Sequence, residues 1–249
     1  MRRLTIVVPT FNEVDNIPAL LAALFALGLP DLRLLVVDDN SPDGTADAAA
    51  QSEQGRGGRV AVLRRPGKLG LGTAYTEGFR RALAEGAEAI GQMDADFSHS
   101  PDYLPAFLQA LETCDMVFGS RYVPGGRLDP RWGPGRQALS RFGNLYARAI
   151  LGLQVLDTTG GYRVWRRETL AGMPLERIRS NGYVFQVEMA YVAERLGFRP
   201  IELPIYFEDR RLGRSKMSLR IQLEAAFRVW QVARTHRNLR PLARPADQP

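Results

Sequence analysis

Cysteine and histidine are almost missing from this chain of 249 residues, which has one cysteine, Cys114, and two histidines. A lone cysteine excludes an internal disulfide. With no histidine patterned around it, it reads as a small buried residue rather than a thiol nucleophile. So few nitrogen and sulfur donors argue against a zinc centre. No apolar run is long enough to cross a bilayer, and Met1-Arg2-Arg3-Leu4 leads straight into a strand rather than a secretory segment, so the expected location is cytoplasmic. The glycine signatures of nucleotide-binding folds are also missing: neither G-x-x-x-x-G-K-[ST] nor G-x-G-x-x-G follows the first strand. Gly67-Lys68-Leu69-Gly70-Leu71-Gly72, after the third, matches both weakly.

What is present begins with a hydrophobic content of 45%, enough for a full core in one large domain. Lysine and arginine number 33 against 27 acidic residues, a net charge of +6 with much of the excess late in the chain, which points to anionic partners. A basic nucleotide- or nucleic-acid-binding protein without catalysis is one reading of that charge. Against it, the aromatics are not interleaved with the basic residues as a stacking platform needs, so no nucleic-acid partner is expected.

Short β-rich runs at Leu4–Val8, Leu32–Val37, Arg59–Leu63, Ala89–Met93 and Asp115–Gly119 alternate with helical patterns at Asp15–Leu27, Asp43–Gln54, Ala74–Glu85 and Asp102–Leu111. This is the rhythm of an α/β fold with a mostly parallel sheet flanked by helices, in which ligands sit beyond the carboxyl ends of the strands. Acidic and polar loops fall at those ends. Pro9-Thr10-Phe11-Asn12-Glu13 follows the first strand, Asp38-Asp39-Asn40-Ser41-Pro42-Asp43-Gly44-Thr45 the second and Asp94-Ala95-Asp96 the fourth. In an extended strand alternate side chains share a face, so Asp94 and Asp96 are expected to point the same way and to reach one hard cation, Mg²⁺ or Mn²⁺. Each loop also has a plainer reading as a turn or helix cap, because Asp, Asn and Ser are common in both.

Taken together, these three loops and Gly119-Ser120-Arg121-Tyr122 resemble the motifs of family-2 glycosyltransferases, which have a Rossmann-like GT-A fold. Within that family the chain is most similar to the polyprenol-phosphate (dolichyl-phosphate) mannose synthases. That likeness lies in Met93–Pro101, Gly119–Gly126, Asp157-Thr158-Thr159-Gly160-Gly161-Tyr162-Arg163, Phe185-Gln186-Val187-Glu188 and Arg210-Arg211-Leu212-Gly213-Arg214-Ser215-Lys216.

The resemblance implies inverting transfer of mannose from GDP-mannose to a polyprenyl (dolichyl) phosphate, with Mg²⁺ or Mn²⁺ as cofactor and no catalytic histidine. By similarity, Glu13 and Asp39 would hold the ribose and base of the donor, with Pro9 and Phe11 on the same rim. Asp94 and Asp96 would place the metal on the diphosphate. Arg121, Arg136 and Ser140 match phosphate-binding positions, and Arg163 joins the substrate-binding set. Arg210 and Lys216 match a mobile loop that closes over the donor diphosphate, with Gly213 giving it freedom. Asp96, Arg121 and Lys216 form the implied catalytic set. Two departures stand out. Gly160 replaces a serine common in relatives, and Ser98 stands where some relatives carry a polar amide near the metal. A UDP-glucose donor is the alternative within the enzyme class.

A lipid acceptor implies contact with a membrane, peripherally and at the inner face of the cell membrane. Two amphipathic stretches offer it: Ala138–Leu153 and Met217–Arg234, each with arginines flanking apolar residues. Packing of those apolar stripes on the protein itself is the plainer reading, and a separate membrane-anchored partner would also serve. The expected division is a GT-A domain over residues 1–216, an amphipathic helix over 217–238 and a disordered tail over 239–249.

Overall fold

A computed structural model describes residues 3–209 and 219–243. The chain runs β1 (Leu4–Thr10), α1 (Ile17–Ala26), β2 (Leu32–Asp38), α2 (Thr45–Gln51), α3 (Glu53–Arg56), β3 (Val60–Arg64), α4 (Leu71–Ala84) and β4 (Ala89–Gln92). It continues through α5 (Leu104–Ala110), β5 (Met116–Ser120), β6 (Arg127–Leu128), α6 (Pro134–Leu151), β7 (Arg163–Arg166), α7 (Arg167–Gly172) and α8 (Gly182–Arg195). Last come β8 (Pro200–Pro204), β9 (Tyr206–Phe207) and α9 (Leu219–His236).

Among the described residues the main sheet has the strand order β3-β2-β1-β4-β7-β5-β8. Its pairings are parallel except at β7, which runs antiparallel to both β4 and β5. The mostly parallel sheet flanked by helices therefore stands as expected, with one inversion. β7 wedges between the strands that lead to Asp94 and to Arg121, so those two strand ends lie on either side of it.

The alternation of side chains along each strand builds two cores, one on each face of the sheet. Leu4, Ile6 and Val8 of β1 join Leu32, Leu34 and Val36 of β2 on one side, while Val7, Leu35 and Val37 face the other. The helices lie close on this surface. A Cβ added to Gly78 of α4 would come within 2.3 Å of a Val7 methyl, so only glycine lets the helix approach that far.

In the second half, α9 packs against α6 and α8, burying Val229 and Val232. Nε2 of His236 lies 2.7 Å from Oε1 of Glu188 on α8, with both side chains buried. Residues 239–243, the first part of the expected tail, run back over the domain. There the Leu242 amide donates to the Leu196 carbonyl at 3.0 Å, and Arg195 Nη2 donates to the Leu239 carbonyl at 2.9 Å.

Candidate active site

The loops after β1 and β2 are laced together side chain to backbone. Thr10 Oγ1 donates to Asp38 at 2.9 Å, and Asp38 also receives the Ser41 amide at 2.8 Å and its hydroxyl at 2.6 Å. The amides of Asn12, Glu13 and Val14 donate across to Ser41 Oγ, Thr45 Oγ1 and Asp43 Oδ2 at 3.0, 2.9 and 3.1 Å. Asp38 and Ser41 thus shape the rim, while Asp43 Oδ1 also takes the amide of Thr45, the first residue of α2, at 3.0 Å. Glu13 accepts from Asn16 at 2.7 Å, and Phe11 carries the Lys68 ammonium 4.0 Å above its ring. Pro9 pairs with Val37 in the sheet beneath them.

Asp39 is buried against Arg65, whose guanidinium also reaches Thr73 and lies 3.3 Å from Glu77. The sequence reading missed Arg65, because nothing in the run Leu63-Arg64-Arg65-Pro66 distinguishes a buried arginine from the exposed one beside it.

The Asp94 and Asp96 pair lies beyond the strand, not on it. β4 ends at Gln92, so strand alternation cannot align the two carboxylates, and side-chain contacts do so instead. The Tyr75 phenol donates to Asp94 Oδ1 at 3.3 Å, the Asp94 amide donates to His99 Nδ1 at 3.0 Å, and Ser98 gives its amide and hydroxyl to Asp96 Oδ1 at 3.1 and 2.6 Å. Burial first, and the Asp94 charge second, push the Tyr75 phenol well above its usual range, which keeps it a donor. Burial holds the His99 imidazole below its usual range against the pull of both aspartates. With Nδ1 accepting, the neutral ring carries its proton on Nε2. It stacks on Tyr162 at 5.0 Å, so His99 is a buried support for the loop. Phe97 completes the turn at φ 62, and Asn12 and Asn40 hold φ 61 and 60. Three strand ends thus each carry a left-handed residue that is not glycine, and phenylalanine there is the strained case. Both aspartates raise the Tyr75 phenol and oppose the fall of the His99 imidazole.

On the far side of β7, Arg121 is buried and grips Asp157 through Nε at 2.7 Å and Nη2 at 2.6 Å, with Nη2 also donating to Thr159 at 2.8 Å. Burial alone would raise the Asp157 carboxyl. The Arg121 charge and hydrogen bonds outweigh it and hold the group below the usual range. Arg136 lies 3.6 Å over the Trp132 ring and donates to both oxygens of Asp209 at 3.0 and 3.2 Å, while Ser140 accepts from the Tyr122 hydroxyl at 2.7 Å.

Arg163 takes a different place from the expected one. It is 0% exposed and donates to the carbonyls of Gly160, Gln186 and Thr158 at 3.0, 2.8 and 2.8 Å, so it holds the loop from beneath. Burial lowers its pKa to about 9, still charged at neutral pH. Arg210, Gly213 and Lys216 lie outside the described residues.

The loop before Arg163 is hung almost wholly from side chains. Glu194 takes the amides of Gln154 and Val155, and Glu202 those of Leu156 and Asp157. Asn144 of α6 takes those of Thr158 and Thr159, and Asp157 that of Gly160. A side chain at Gly160 would meet the Gly119 carbonyl at 3.2 Å, a tight fit that suits glycine. Asn144 went unnoticed in the sequence because it reads there as one polar residue in an amphipathic helix.

The sequence pattern of Glycosyl transferase family 2 matches residues 5–172, more than half of the chain. The chain belongs to glycosyl transferase family 2. Two curated members of it are similar from end to end. The undecaprenyl-phosphate mannosyltransferase of Micrococcus luteus is 46% identical, over 96% of this chain and 98% of its own. The polyprenol monophosphomannose synthase of Mycolicibacterium smegmatis is 41% identical, over 92% and 86%. Among solved structures, glucosyl-3-phosphoglycerate synthase from Mycobacterium tuberculosis, in complex with Mn²⁺, UDP and glucosyl-3-phosphoglycerate, superposes with a TM-score of 0.65 at 20% identity. It covers 94% of this chain and 80% of that one. The same enzyme in complex with Mg²⁺ and UDP also gives 0.65, at 19% identity and over 94% and 79%. These neighbours share the fold of this glycosyltransferase.

Proposed function

We propose that this glycosyltransferase moves mannose, with inversion, from GDP-mannose to the phosphate of a polyprenol. The observation that carries the reading is the end-to-end likeness to two relatives whose names both specify mannose and a polyprenol phosphate.

The chemistry suits the site. An oxygen of the acceptor phosphate attacks the anomeric carbon in line, the new C–O bond forms as the bond to the nucleoside diphosphate breaks, and the configuration inverts. A phosphate monoester is already anionic near neutral pH, so positioning and charge shielding matter more than a general base. The buried, neutral His99 fits a reaction that asks no proton of it. Asp39, seated on Arg65, and Glu13 would receive the base and ribose on the rim. Arg121, with Arg136 and Ser140, would meet the acceptor phosphate, and Arg210 and Lys216 the leaving diphosphate.

Two oxygen donors at Asp94 and Asp96, with His99 Nδ1 already taken by the Asp94 amide, fit a hard cation that keeps places for water and phosphate oxygens. Mg²⁺ or Mn²⁺ bound there would supply positive charge to the departing diphosphate.

Among the described residues no helix is long and apolar enough to cross a membrane. A lipid acceptor then calls for peripheral contact at the inner face of the cell membrane, through α6 and α9 or through a membrane-anchored partner.

The test is transfer of labelled sugar from GDP-mannose, and in parallel from UDP-glucose, to a short polyprenyl phosphate in detergent with Mg²⁺ and then with EDTA. Metal-dependent transfer from GDP-mannose alone is the expected result. Transfer from UDP-glucose alone would replace the donor, and label transfer unaffected by EDTA would overturn the metal assignment.

A further inference from the structure

We propose that Arg141 and Arg148 of α6 bind the phosphate headgroup of an anionic phospholipid and so seat the enzyme on its membrane; the inference rests on the lipid-acceptor reading above. A groove of about 360 Å³ runs along α6, lined by Arg121, Tyr122, Arg141, Asn144, Leu145 and Arg148 among others. Its arginines differ in their commitments. Arg121 is held by Asp157, and at the head of the same helix Arg136 is held by Asp209. Among the described residues no carboxylate stands within ion-pair distance of Arg141 or Arg148, and the Nε of Arg148 is buried without a hydrogen-bond partner. Positions 141, 145 and 148 fall on one face of a helix, so the two guanidiniums flank a leucine along the groove.

Beside this groove the surface turns apolar. Phe142 and Leu145 on α6 are 62% and 61% exposed, and Phe227 and Trp230 on α9 are 64% and 58% exposed. Tyr146 joins the two helices, stacking on Phe142 at 6.1 Å and accepting from Trp230 Nε1 at 3.0 Å. One prenyl chain is too narrow to cover large apolar side chains on two helices, whereas a bilayer surface covers them at once. The phosphate of that surface complements Arg141 and Arg148, neither of which has a carboxylate in ion-pair contact among the described residues, although the Arg148 charge reaches Glu194. The occupant is therefore the bulk anionic lipid of the membrane, and the acceptor's own phosphate is the competing source.

The test uses the full chain in co-sedimentation with vesicles of phosphatidylcholine alone or mixed with phosphatidylglycerol. Two arginines at the headgroup level should favour the mixed vesicles by roughly thirtyfold. The Arg141→Gln/Arg148→Gln variant should lose that preference, and Arg141→Lys/Arg148→Lys should keep most of it, which separates lost charge from a damaged helix. Equal binding of the unaltered chain to both vesicle types would overturn the proposal. So would a raised KM of the glutamine variant for short polyprenyl phosphate in neutral detergent with its vesicle preference intact, since the arginines would then serve the acceptor. Failure of the transfer reading shows separately, as absence of labelled product in detergent from the unaltered chain.

Discussion

Arg121 and Asp157 meet through two parallel hydrogen bonds of 2.7 and 2.6 Å, and the Arg121 amide adds a third to the same carboxylate at 3.0 Å. The arginine proposed to face the acceptor phosphate is thus aimed by a buried anion. Removing one partner of a buried pair leaves the other charge uncompensated, at a cost of about 3–5 kcal/mol. Asp157→Ala should therefore lower both the melting temperature and the transfer rate. Unchanged thermal unfolding would show that the pair does not hold the loop.

Asp96 lies in a rim loop, where it takes the amide and the hydroxyl of Ser98. Asp96→Ala strands the buried Ser98 amide and hydroxyl, which should cost about 1–3 kcal/mol while leaving the chain folded, and should abolish transfer. Full activity in the folded variant would sink the metal assignment.

Asn144 presents one carbonyl oxygen to the Thr158 amide, the Thr158 hydroxyl and the Thr159 amide. Asn144→Ala strands buried donors and should cost on the order of 3 kcal/mol. Thr159 in turn accepts from Arg121, so steady-state kinetics should show KM rising for the acceptor and not for the nucleotide sugar.

Glu188 sets an acid limit on stability. Burial would raise its pKa, but hydrogen bonds from His236 and Ser180 outweigh that and lower it below the usual glutamate value of 4.5. Its folded-state pKa being depressed, its contribution is complete above that value and is lost as pH falls through the folded one. Melting temperatures measured across the acid range should decline below pH 4.5 in the original chain, and Glu188→Gln should flatten that part of the decline. Identical pH profiles for the two would show that the contact with α9 is not coupled to folding.

Lys216, assigned by resemblance to the loop over the donor diphosphate, gives a kinetic prediction. Lys216→Ala should lower kcat more than it raises KM for the acceptor. Unchanged turnover would remove the residue from the catalytic set.

The first half of the fold was legible because each strand there is a mostly apolar run ending in a polar loop, as at Ile6–Val8 before Pro9 and Asn12. β7 escaped notice for the opposite reason. Arg163 and Arg166 begin and end it, and their charges are absorbed by carbonyls that no sequence pattern displays. The same blindness explains Arg163 itself, which matches a binding motif by position yet spends its donors on backbone. The Asp94 and Asp96 pair was legible as chemistry but not as geometry, since Tyr75, Ser98 and His99 align it from outside the strand.

Residues 154–160 form no ladder, yet each of their amides ends on a carboxylate or an amide oxygen from Glu194, Glu202, Asn144 or Asp157. Hydrogen exchange would class this segment with the strands and not with the loops. Its shape belongs to the elements that surround it, so a chain truncated before α8 would retain Arg121 and Asp157 without the scaffold that lets them meet.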